Sequence, residues 1–283
     1  MVIILVLNWN SFENTCYCVE SLQKLDFSNF EIVIIDNASQ DGSCKLLSER
    51  FPNNFFIKNS ENYGFGKGMN KGIQYAISKN AEYVWLINND AIVDKYALRE
   101  LVWVAQNDEK IGIVGSVVYR MRDLNLVEVW GGAYVNLLLG SLKIHQKKVS
   151  IDQINYITGC SMLIRVSAII DVGYFDEKYF MYWEDTDISF SFQKKGWKLA
   201  VADDSKVWHQ GSASLGGEGS LSKQIYTLQS AVIFFSKFSK YPRLTVFLYF
   251  LMKSIGGVIK RKDLFYFIFV IKNLYQGYLK IKN

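Results

Sequence analysis

With 283 residues, of which half are hydrophobic and 15% aromatic, the chain can bury the core of one large domain, which excludes a disordered or linker-like protein. The net charge is +5, but residues 223–283 carry eleven Lys or Arg against one acid, and residues 1–222 carry 21 against 26 acids. This division argues against general nucleic-acid binding. It predicts that only the basic C-terminal tail (residues 223–283) contacts an anionic surface.

Apolar runs alternate with helical segments four times before residue 115. The runs predict strands over residues 2–7, 31–35, 55–58, 83–87 and 111–114. The first is typical of a strand covered on both faces, and the second and fourth are also expected to be buried. The helical segments span residues 11–25, 43–51, 70–79 and 95–107. This alternation predicts an α/β fold with an open, mostly parallel sheet and helices on both faces. The first run lacks a basic lead and a cleavage site, so we interpret it as a strand rather than a signal peptide.

Polar side chains follow three of these strands, at Asn8, Asp36 and Asp90. Because helical crossovers bring the carboxyl ends of parallel strands to one edge of the sheet, the three groups can converge on one ligand. Asn and Asp also end strands and begin turns for local reasons, so a turn is the alternative for each position taken alone.

Glycines cluster after the third strand, at Gly64, Gly66 and Gly68. The dinucleotide-binding fingerprint follows a first strand and has another spacing, so these glycines do not predict a nicotinamide enzyme. Two roles remain open for them, a tight loop before a helix or a close approach of the backbone to a phosphate.

The second half of the chain is less regular. Residues 119–155 suggest short strands or a hairpin, residues 162–166 and 198–202 are predicted strands, and residues 188–195 are a predicted helix. Residues 207–212 close the predicted body of the protein.

Glu184, Asp185 and Asp187 crowd the start of that helix, after four large residues that end in Trp183. Acids in a first helical turn complement the helix dipole, which would explain them structurally. An aromatic wall is also typical of a ligand cleft, and a carboxylate held ionised at a helix start can act as a general base. Both interpretations stay open.

His209 is one of two histidines. A lone histidine is more often structural than a ligand. Together with Asp90, however, it offers the oxygen and imidazole donors that suit Mn²⁺. The four cysteines have the spacing of neither a zinc site nor a redox pair, which predicts free thiols in a reducing compartment.

Seven short motifs follow one another in a recognisable order. They are Asn8-Trp9-Asn10, Asp36-Asn37-Ala38-Ser39 with Asp41-Gly42-Ser43, Asn62-Tyr63-Gly64-Phe65-Gly66, Asn88-Asn89-Asp90, Thr158-Gly159-Cys160, Trp183-Glu184-Asp185-Thr186-Asp187 and His209. In this order and spacing the chain resembles the inverting family 2 glycosyltransferases, particularly the rhamnosyltransferase-like branch of bacterial polysaccharide assembly. The resemblance covers residues 2 to about 215.

The resemblance implies a GT-A-like domain over residues 1–222 and a role for each motif residue. Asp90 would bind Mn²⁺ or Mg²⁺ at the donor diphosphate, with His209 as the second ligand. Asp185 would be the general base, and Glu184 would orient sugar hydroxyls. The nucleotide-sugar would lie among Asn8, Asp36, Asn37, Gly64, Gly66, Asn88, Asn89 and Trp183. Asn88 replaces the first Asp of the family's D-x-D motif, which predicts a lower metal affinity.

The implied reaction is metal-dependent, inverting transfer of a sugar from a nucleoside diphosphate to a lipid-linked glycan acceptor in cell-surface polysaccharide synthesis. The expected donor is dTDP-rhamnose first and a UDP-hexose second, and the expected location is the cytoplasmic face of the plasma membrane. One alternative is a nucleotidyltransferase of similar fold, although its first loop would need basic residues that residues 8–15 lack. Another is a non-catalytic, membrane-bound scaffold that binds nucleotide-sugars.

The C-terminal tail differs in composition from the body. A helix is predicted over residues 223–240, which Pro242 breaks, and apolar runs follow at 244–252 and 264–271, separated by Lys260-Arg261-Lys262-Asp263. Neither run reaches the roughly 20 residues that span a bilayer. Apolar aromatic runs flanked by basic residues are typical of helices that lie in a membrane interface, so we expect a helical, membrane-associating region. Packing on the body or a homo-oligomer contact is the alternative.

Overall fold

The computed structural model describes residues 1–211, 220–261 and 265–282. Ser212, which ends the predicted body, and Lys262, Asp263 and Leu264 of the tail lie outside the described residues. The strands are β1 (Val2–Asn8), β2 (Phe30–Asp36), β3 (Phe55–Lys58), β4 (Tyr83–Asn88), β5 (Ala91–Val93), β6 (Ile111–Arg120), β7 (Asp123–Trp130), β8 (Gly132–Asn136), β9 (Ser141–Ile144), β10 (Tyr156–Ile157), β11 (Ser161–Arg165) and β12 (Lys198–His209). The helices are α1 (Phe12–Leu22), α2 (Ser43–Arg50), α3 (Phe65–Ser78), α4 (Ala97–Gln106), α5 (Val166–Val172), α6 (Glu184–Lys194), α7 (Leu221–Phe238), α8 (Pro242–Arg261) and α9 (Phe265–Lys282).

The main sheet has the strand order β3-β2-β1-β4-β11-β6-β12-β5, and β7 pairs with residues 117–120 of β6, beyond the residues 113–115 that pair with β11. The four strands β3, β2, β1 and β4 are parallel, as predicted. Strand β11 lies between β4 and β6 and is antiparallel to both, so the sheet is mixed beyond β4. The predicted fifth strand therefore pairs with a segment about 50 residues later in the chain, a partner that local sequence patterns do not reveal.

Two hydrophobic layers cover the main sheet. In β1, Ile4 and Val6 face the layer that contains α1, α2 and α4, whereas Ile3 and Leu5 face the layer that contains α3, α5 and part of α6. Strand side chains alternate between the two faces, so an uninterrupted apolar run is expected where both faces are covered. The α/β class with helices on both faces is confirmed.

A second, three-stranded sheet has the order β10-β8-β9 and is antiparallel. Its β8–β9 hairpin, together with β7 of the main sheet, forms the short strands or hairpin predicted between residues 119 and 155. The tip of its β8–β9 hairpin touches α8, where the Thr245 hydroxyl donates to the Leu137 carbonyl over 2.7 Å.

A third hydrophobic cluster joins the C-terminal tail to the body. It combines Leu228, Phe234 and Phe235 of α7 with Tyr179 and Trp183, which precede α6. The tail thus packs on the body, one of the two arrangements left open by its sequence. In the described ranges, no helix is both long enough and apolar enough to cross a bilayer.

Candidate functional site

A cleft of about 310 Å³ opens where β1 and β4 end. Of the residues predicted for the site, eight line this cleft: Asn37, Gly64, Asn88, Asn89, Asp90, Glu184, Asp185 and His209. The other four, Asn8, Asp36, Gly66 and Trp183, lie behind the lining. The predicted metal ligands and the predicted base therefore share one cavity.

Asn8 and Asp36 form a buried network at the ends of neighbouring strands. The Asn8 amide donates to Oδ1 of Asp36 and to the Ser43 hydroxyl, each over 2.9 Å, and its oxygen accepts from the Thr15 hydroxyl over 2.8 Å. The Asn89 amide donates to the same Thr15 oxygen over 3.0 Å. The expected convergence of strand ends is present, and it fixes the loops that carry the lining residues.

The glycine loop packs closely against the segment before α6. A Cβ on Gly64 would lie 1.8 Å from the Phe180 carbonyl oxygen, and the Gly64 φ of +76° also favours glycine. The Asn37 amide holds the loop by donating to the Gly64 carbonyl over 3.0 Å. A Cβ on Gly66 would meet the Phe175 side chain at 2.9 Å. Tight packing thus explains these glycines, and the approach to a phosphate stays a prediction.

Asp90 and His209 come from strands that are distant in sequence. Strand β5 begins directly after Asp90 and is antiparallel to the end of β12, which places His209 opposite Ala91. Oδ1 of Asp90 and Nε2 of His209 are 3.2 Å apart. Burial lowers the pKa of His209, but Cys160, Asp90 and Glu128 outweigh it and raise that pKa well above the usual value. The same surroundings favour a bound cation.

The Asp90–His209 pair fits a divalent cation such as Mn²⁺ or Mg²⁺. When His209 is neutral, two acceptor atoms face each other over 3.2 Å, and a shared cation satisfies both. Ligands at right angles around Mg²⁺ lie about 3 Å apart. Within the part of the chain that the structure describes, no cluster of three or more His, Cys, Asp or Glu side chains could hold a metal. Water or an oxygen-rich ligand bound in the cleft would supply the remaining ligands.

Glu128 of β7 is a site residue that the sequence did not identify. Its Oε2 lies 3.4 Å from Nδ1 of His209, and it lines the cleft. A carboxylate on one ring nitrogen of a histidine directs the other nitrogen toward a metal. Asn88 contacts that second nitrogen, with its amide nitrogen 3.3 Å from Nε2. No sequence motif surrounds Glu128. The pairing of β7 with β6 brings it to the cleft, so local sequence patterns could not have identified it.

Asp185 lies in the first turn of α6. Its Oδ2 accepts from the Gly159 backbone N–H over 2.9 Å, and its Oδ1 accepts from the Thr186 N–H over 2.7 Å. Burial raises the pKa of Asp185, and the N–H groups of Gly159 and Thr186 partly offset that rise. A cleft carboxylate with a raised pKa is suited to accept a proton near neutral pH.

Glu184 has a buried oxygen without a protein partner. In the described ranges, its Oε2 makes no hydrogen bond. Burial and then the charge of Asp185 raise the pKa of Glu184 well above its usual value. An unsatisfied buried polar group costs about 1–3 kcal/mol. A sugar hydroxyl in the cleft would satisfy this oxygen.

The backbone before α6 is strained, and the Trp183 side chain in this segment does not line the cleft. Tyr182 and Trp183 have φ values of +66° and +71°, which cost non-glycine residues about 1–3 kcal/mol each. The Trp183 ring lies 4.9 Å from Phe234 and 5.1 Å from Phe235, between ring centroids. Because this backbone turns the indole into an aromatic cluster, the wall of the cleft is formed by Met181 and Tyr182 instead.

Helix α7 also contributes to the cleft. Lys223, in its first turn, is a lining residue, and its Nζ lies 5.8 Å from the centre of the Tyr182 ring. The sequence division between residues 222 and 223 therefore runs through the wall of the site.

Comparisons with known proteins identify the family and several relatives of this chain. A sequence model of the family described as "Glycosyl transferase family 2" matches residues 2–173. The chain is 27% identical over 219 residues to the poly-beta-1,6-N-acetyl-D-glucosamine synthase of Staphylococcus aureus (strain COL), which covers 76% of this chain and 51% of that protein. It is 26% identical over 209 residues to the N-acetylglucosaminyl-diphospho-decaprenol L-rhamnosyltransferase of Mycobacterium tuberculosis (strain CDC 1551 / Oshkosh), covering 65% and 68%. The chain thus spans about half the length of the synthase.

A solved structure shares the fold over almost the whole chain. It is the mannosyltransferase PcManGT from Pyrobaculum calidifontis, in complex with GDP-Man and Mn²⁺. The TM-score is 0.60 at 15% identity, and the match covers 99% of this chain and 84% of the other. The GT-A-like fold expected from the sequence is confirmed.

Proposed function

The chain belongs to glycosyl transferase family 2 and is a glycosyltransferase, and on that premise we propose that it transfers a sugar with inversion from a nucleoside diphosphate to a lipid-linked glycan. Family membership favours this reaction over the nucleotidyltransferase alternative. The observation that carries the proposal is the shared cleft, in which Asp185 lines the same cavity as Asp90 and His209.

Each carboxylate has one task in this reaction. Asp185 removes the proton of the acceptor hydroxyl as that oxygen attacks the anomeric carbon, which inverts the sugar. Glu184 accepts a hydrogen bond from a sugar hydroxyl through its buried Oε2. Asp90 and His209 would hold Mn²⁺ or Mg²⁺, and such an ion would stabilise the departing diphosphate as a Lewis acid. The solved relative with bound Mn²⁺ supports this cofactor.

The donor and acceptor are the finer part of the proposal. We propose dTDP-rhamnose as the first donor, supported by the rhamnosyltransferase among the relatives, and a UDP-hexose as the second, supported by the N-acetylglucosamine polymer synthase. The names of both relatives describe enzymes that assemble glycans, which supports a role in cell-surface polysaccharide synthesis.

A donor-hydrolysis panel tests the reaction directly. The full-length protein is incubated with dTDP-, UDP- and GDP-sugars and with Mn²⁺, Mg²⁺ or EDTA, and nucleoside diphosphate release is measured. We expect metal-dependent release from one nucleotide class and stereochemical inversion by NMR of the product. Retention of the anomeric configuration, or equal release with EDTA, would contradict the mechanism.

We further propose that the tail holds the enzyme on an anionic membrane at the cytoplasmic face. On α8, exposed apolar side chains recur at helical spacing and are 42–72% accessible: Leu244, Phe247, Met252, Ile255 and Ile259. On α9 a second such row contains Phe267, Ile268, Ile271 and Tyr275. Exposed rows of large apolar side chains are typical of interfacial helices.

Charge favours a lipid surface as the partner of these rows. Arg243, Lys253 and Lys272 lie on the same two helices, and the tail carries ten more positive than negative charges. Each basic residue near an anionic bilayer contributes about 1 kcal/mol of attraction. The exposed Leu138 and Leu139, at the hairpin tip beside α8, extend the apolar surface beyond the tail. A homo-oligomer contact through this surface is the competing outcome in the test below.

A further inference from the structure

Helix α6 presents carboxylates on two opposite sides. Asp185 and Asp187 are two residues apart, so about 200° of rotation around the helix separates them. Asp185 lines the cleft, whereas Asp187 is buried on the side that packs against α7. One helix thus carries both the proposed base and a buried carboxylate that faces α7.

Lys237 of α7 forms an ion pair with the buried carboxylate of Asp187. Its Nζ lies 2.8 Å from Oδ1 of Asp187, and the Tyr179 hydroxyl donates to Oδ2 over 2.9 Å. The Asp187 side chain is 5% exposed and that of Lys237 is 40% exposed. Lys237 also lies 3.3 Å from Asp176, which is at the surface side of the pair. An ion pair whose carboxylate is buried tethers its helix firmly, because removing the cation leaves a buried charge uncompensated.

Helix α7 holds the preceding segment as well. The Ser230 hydroxyl donates to the Met181 carbonyl over 2.9 Å, and Phe234 and Phe235 enclose Trp183. The strained pair of positive-φ residues therefore lies between two contacts to α7, at Met181 and at Asp187. Such a conformation persists only where the surroundings impose it.

We propose that Lys237 is a positioning residue of the transferase. Through its ion pair with Asp187 it fixes the start of α6, so that Asp185 stays against Gly159 and open to the acceptor hydroxyl. The inference rests on the proposed role of Asp185 as base, and it gives the tail a part in the chemistry that is independent of any membrane contact.

Three variants of the full-length protein test this role. Lys237→Met keeps the length of the side chain and removes its charge, and Lys237→Arg restores the charge. Lys195→Met is the matched control, because Lys195 directly follows the C-terminal end of α6 and forms a surface ion pair with Asp171. The charged atoms of that pair are 3.7 Å apart. Hydrogen exchange of residues 179–188 and steady-state transfer kinetics are measured for each.

We expect Lys237→Met to speed amide exchange in residues 179–188 about tenfold or more while the parallel strands keep their protection. Its kcat should fall about 10- to 100-fold with the donor KM changed less than twofold, since misplacement of a base impairs turnover rather than donor binding. Lys237→Arg should recover most of both effects, and Lys195→Met should show neither.

The exchange experiment separates this inference from the proposed function. Unchanged protection of residues 179–188 in Lys237→Met would overturn the positioning role, whatever the enzyme transfers. A uniform loss of protection, with activity reduced only in proportion to the folded fraction, would overturn it as well. If the wild-type protein turned over no donor, the proposed reaction would fail, and the exchange data would still decide whether Lys237 orders the segment.

Discussion

The backbone N–H of Gly159 donates a hydrogen bond to Oδ2 of Asp185 over 2.9 Å. The next residue, Cys160, accepts from the Asn88 N–H over 3.0 Å through its carbonyl. Two adjacent residues thus connect the segment that carries the proposed base to the strand end that carries the proposed metal ligand. Four predictions concern these two sides of the cleft, and two concern the glycine loop and the membrane surface.

Asp185→Asn should abolish sugar transfer while nucleotide binding survives. The amide cannot take the acceptor proton, and general base catalysis accounts for about 10²–10⁴-fold in rate. Transfer is measured by product formation, and binding by calorimetry with the nucleoside diphosphate. Asp171→Asn, which changes a surface carboxylate on α5, should leave both unaffected. Loss of nucleotide binding in a folded Asp185→Asn protein would argue against its role as base.

Transfer should decline on the acid side at a pH above the usual titration range of an aspartate. Burial raises the pKa of Asp185, and only its ionised form accepts a proton. The pH dependence of kcat/KM for the wild-type enzyme checks this expectation. An acid limb at or below the ordinary aspartate value of 3.8 would contradict it.

Glu184→Gln should stabilise the protein at neutral pH but not at pH 4. The pKa of Glu184 is raised on folding, so the folded state binds the proton more tightly than the unfolded state. Its ionisation therefore lowers stability as the pH rises from about 4.5 through the folded-state value. Each kcal/mol regained raises the melting temperature by about 2–4 °C. A melting curve series from pH 4 to 8 measures this, and equal stability of the two proteins at all pH values would oppose it.

Substitutions around His209 should change the affinity for Mn²⁺ by different amounts. Asp90→Ala should remove Mn²⁺ binding to the nucleotide complex, and Glu128→Gln should weaken it about 10- to 100-fold by releasing the ring. Asn88→Asp should strengthen it, because the substitution adds a carboxylate 3.3 Å from the ring nitrogen. Electron paramagnetic resonance of free Mn²⁺ gives each affinity without an activity assay. A Glu128→Gln protein with wild-type affinity would remove Glu128 from the site.

Gly64→Ala should damage the site more than Gly42→Ala does. Both glycines have a positive φ, but Gly42, with ψ of −3°, is in the left-handed region that costs an alanine about 1–2 kcal/mol, whereas Gly64, with ψ of −165°, is in a region that essentially only glycine adopts. In addition, an added Cβ at Gly64 would meet another backbone, the Phe180 carbonyl. At Gly42 nothing lies within 4 Å. We expect a larger loss in the free energy of unfolding for Gly64→Ala, together with weaker nucleotide binding. Denaturant titration compares the two variants, and equal losses would contradict this ranking.

Substitutions on the outer face of α8 should release the enzyme from vesicles. Phe247→Ser with Ile255→Ser removes two exposed apolar side chains, 54% and 57% accessible, without touching the cluster around Trp183. Trp103→Ser is the control, since Trp103 is 62% exposed on α4. Sedimentation with phosphatidylglycerol or phosphatidylcholine vesicles should show binding to the anionic vesicles only. Unchanged sedimentation of the double variant, or a change in oligomeric state instead, would contradict membrane docking. Removing residues 223–283 is a poorer test, because it also removes α7.

Local sequence patterns predicted the parallel half of the fold well. Apolar runs identify β1, β2 and β4 because both faces of those strands are covered, and the polar residues at the ends of β1 and β2 lie together as expected. The insertion of β11 between β4 and β6 was not predictable, since antiparallel pairing over about 50 residues leaves no periodic trace. Glu128 and Lys237 were missed for the same reason. Both act across a tertiary contact, and neither belongs to a motif.

Asp187 is synthesised 50 residues before the lysine that pairs with it. As that part of the chain leaves the ribosome, Trp183 has neither Phe234 nor Phe235 to pack against, and the nascent protein exposes an aromatic surface. The segment that carries the proposed base therefore takes its final conformation only after α7 has emerged. Stalled or prematurely released chains that end before Phe234 would be inactive and substrates for chaperones, although all the strands of the sheet would be complete.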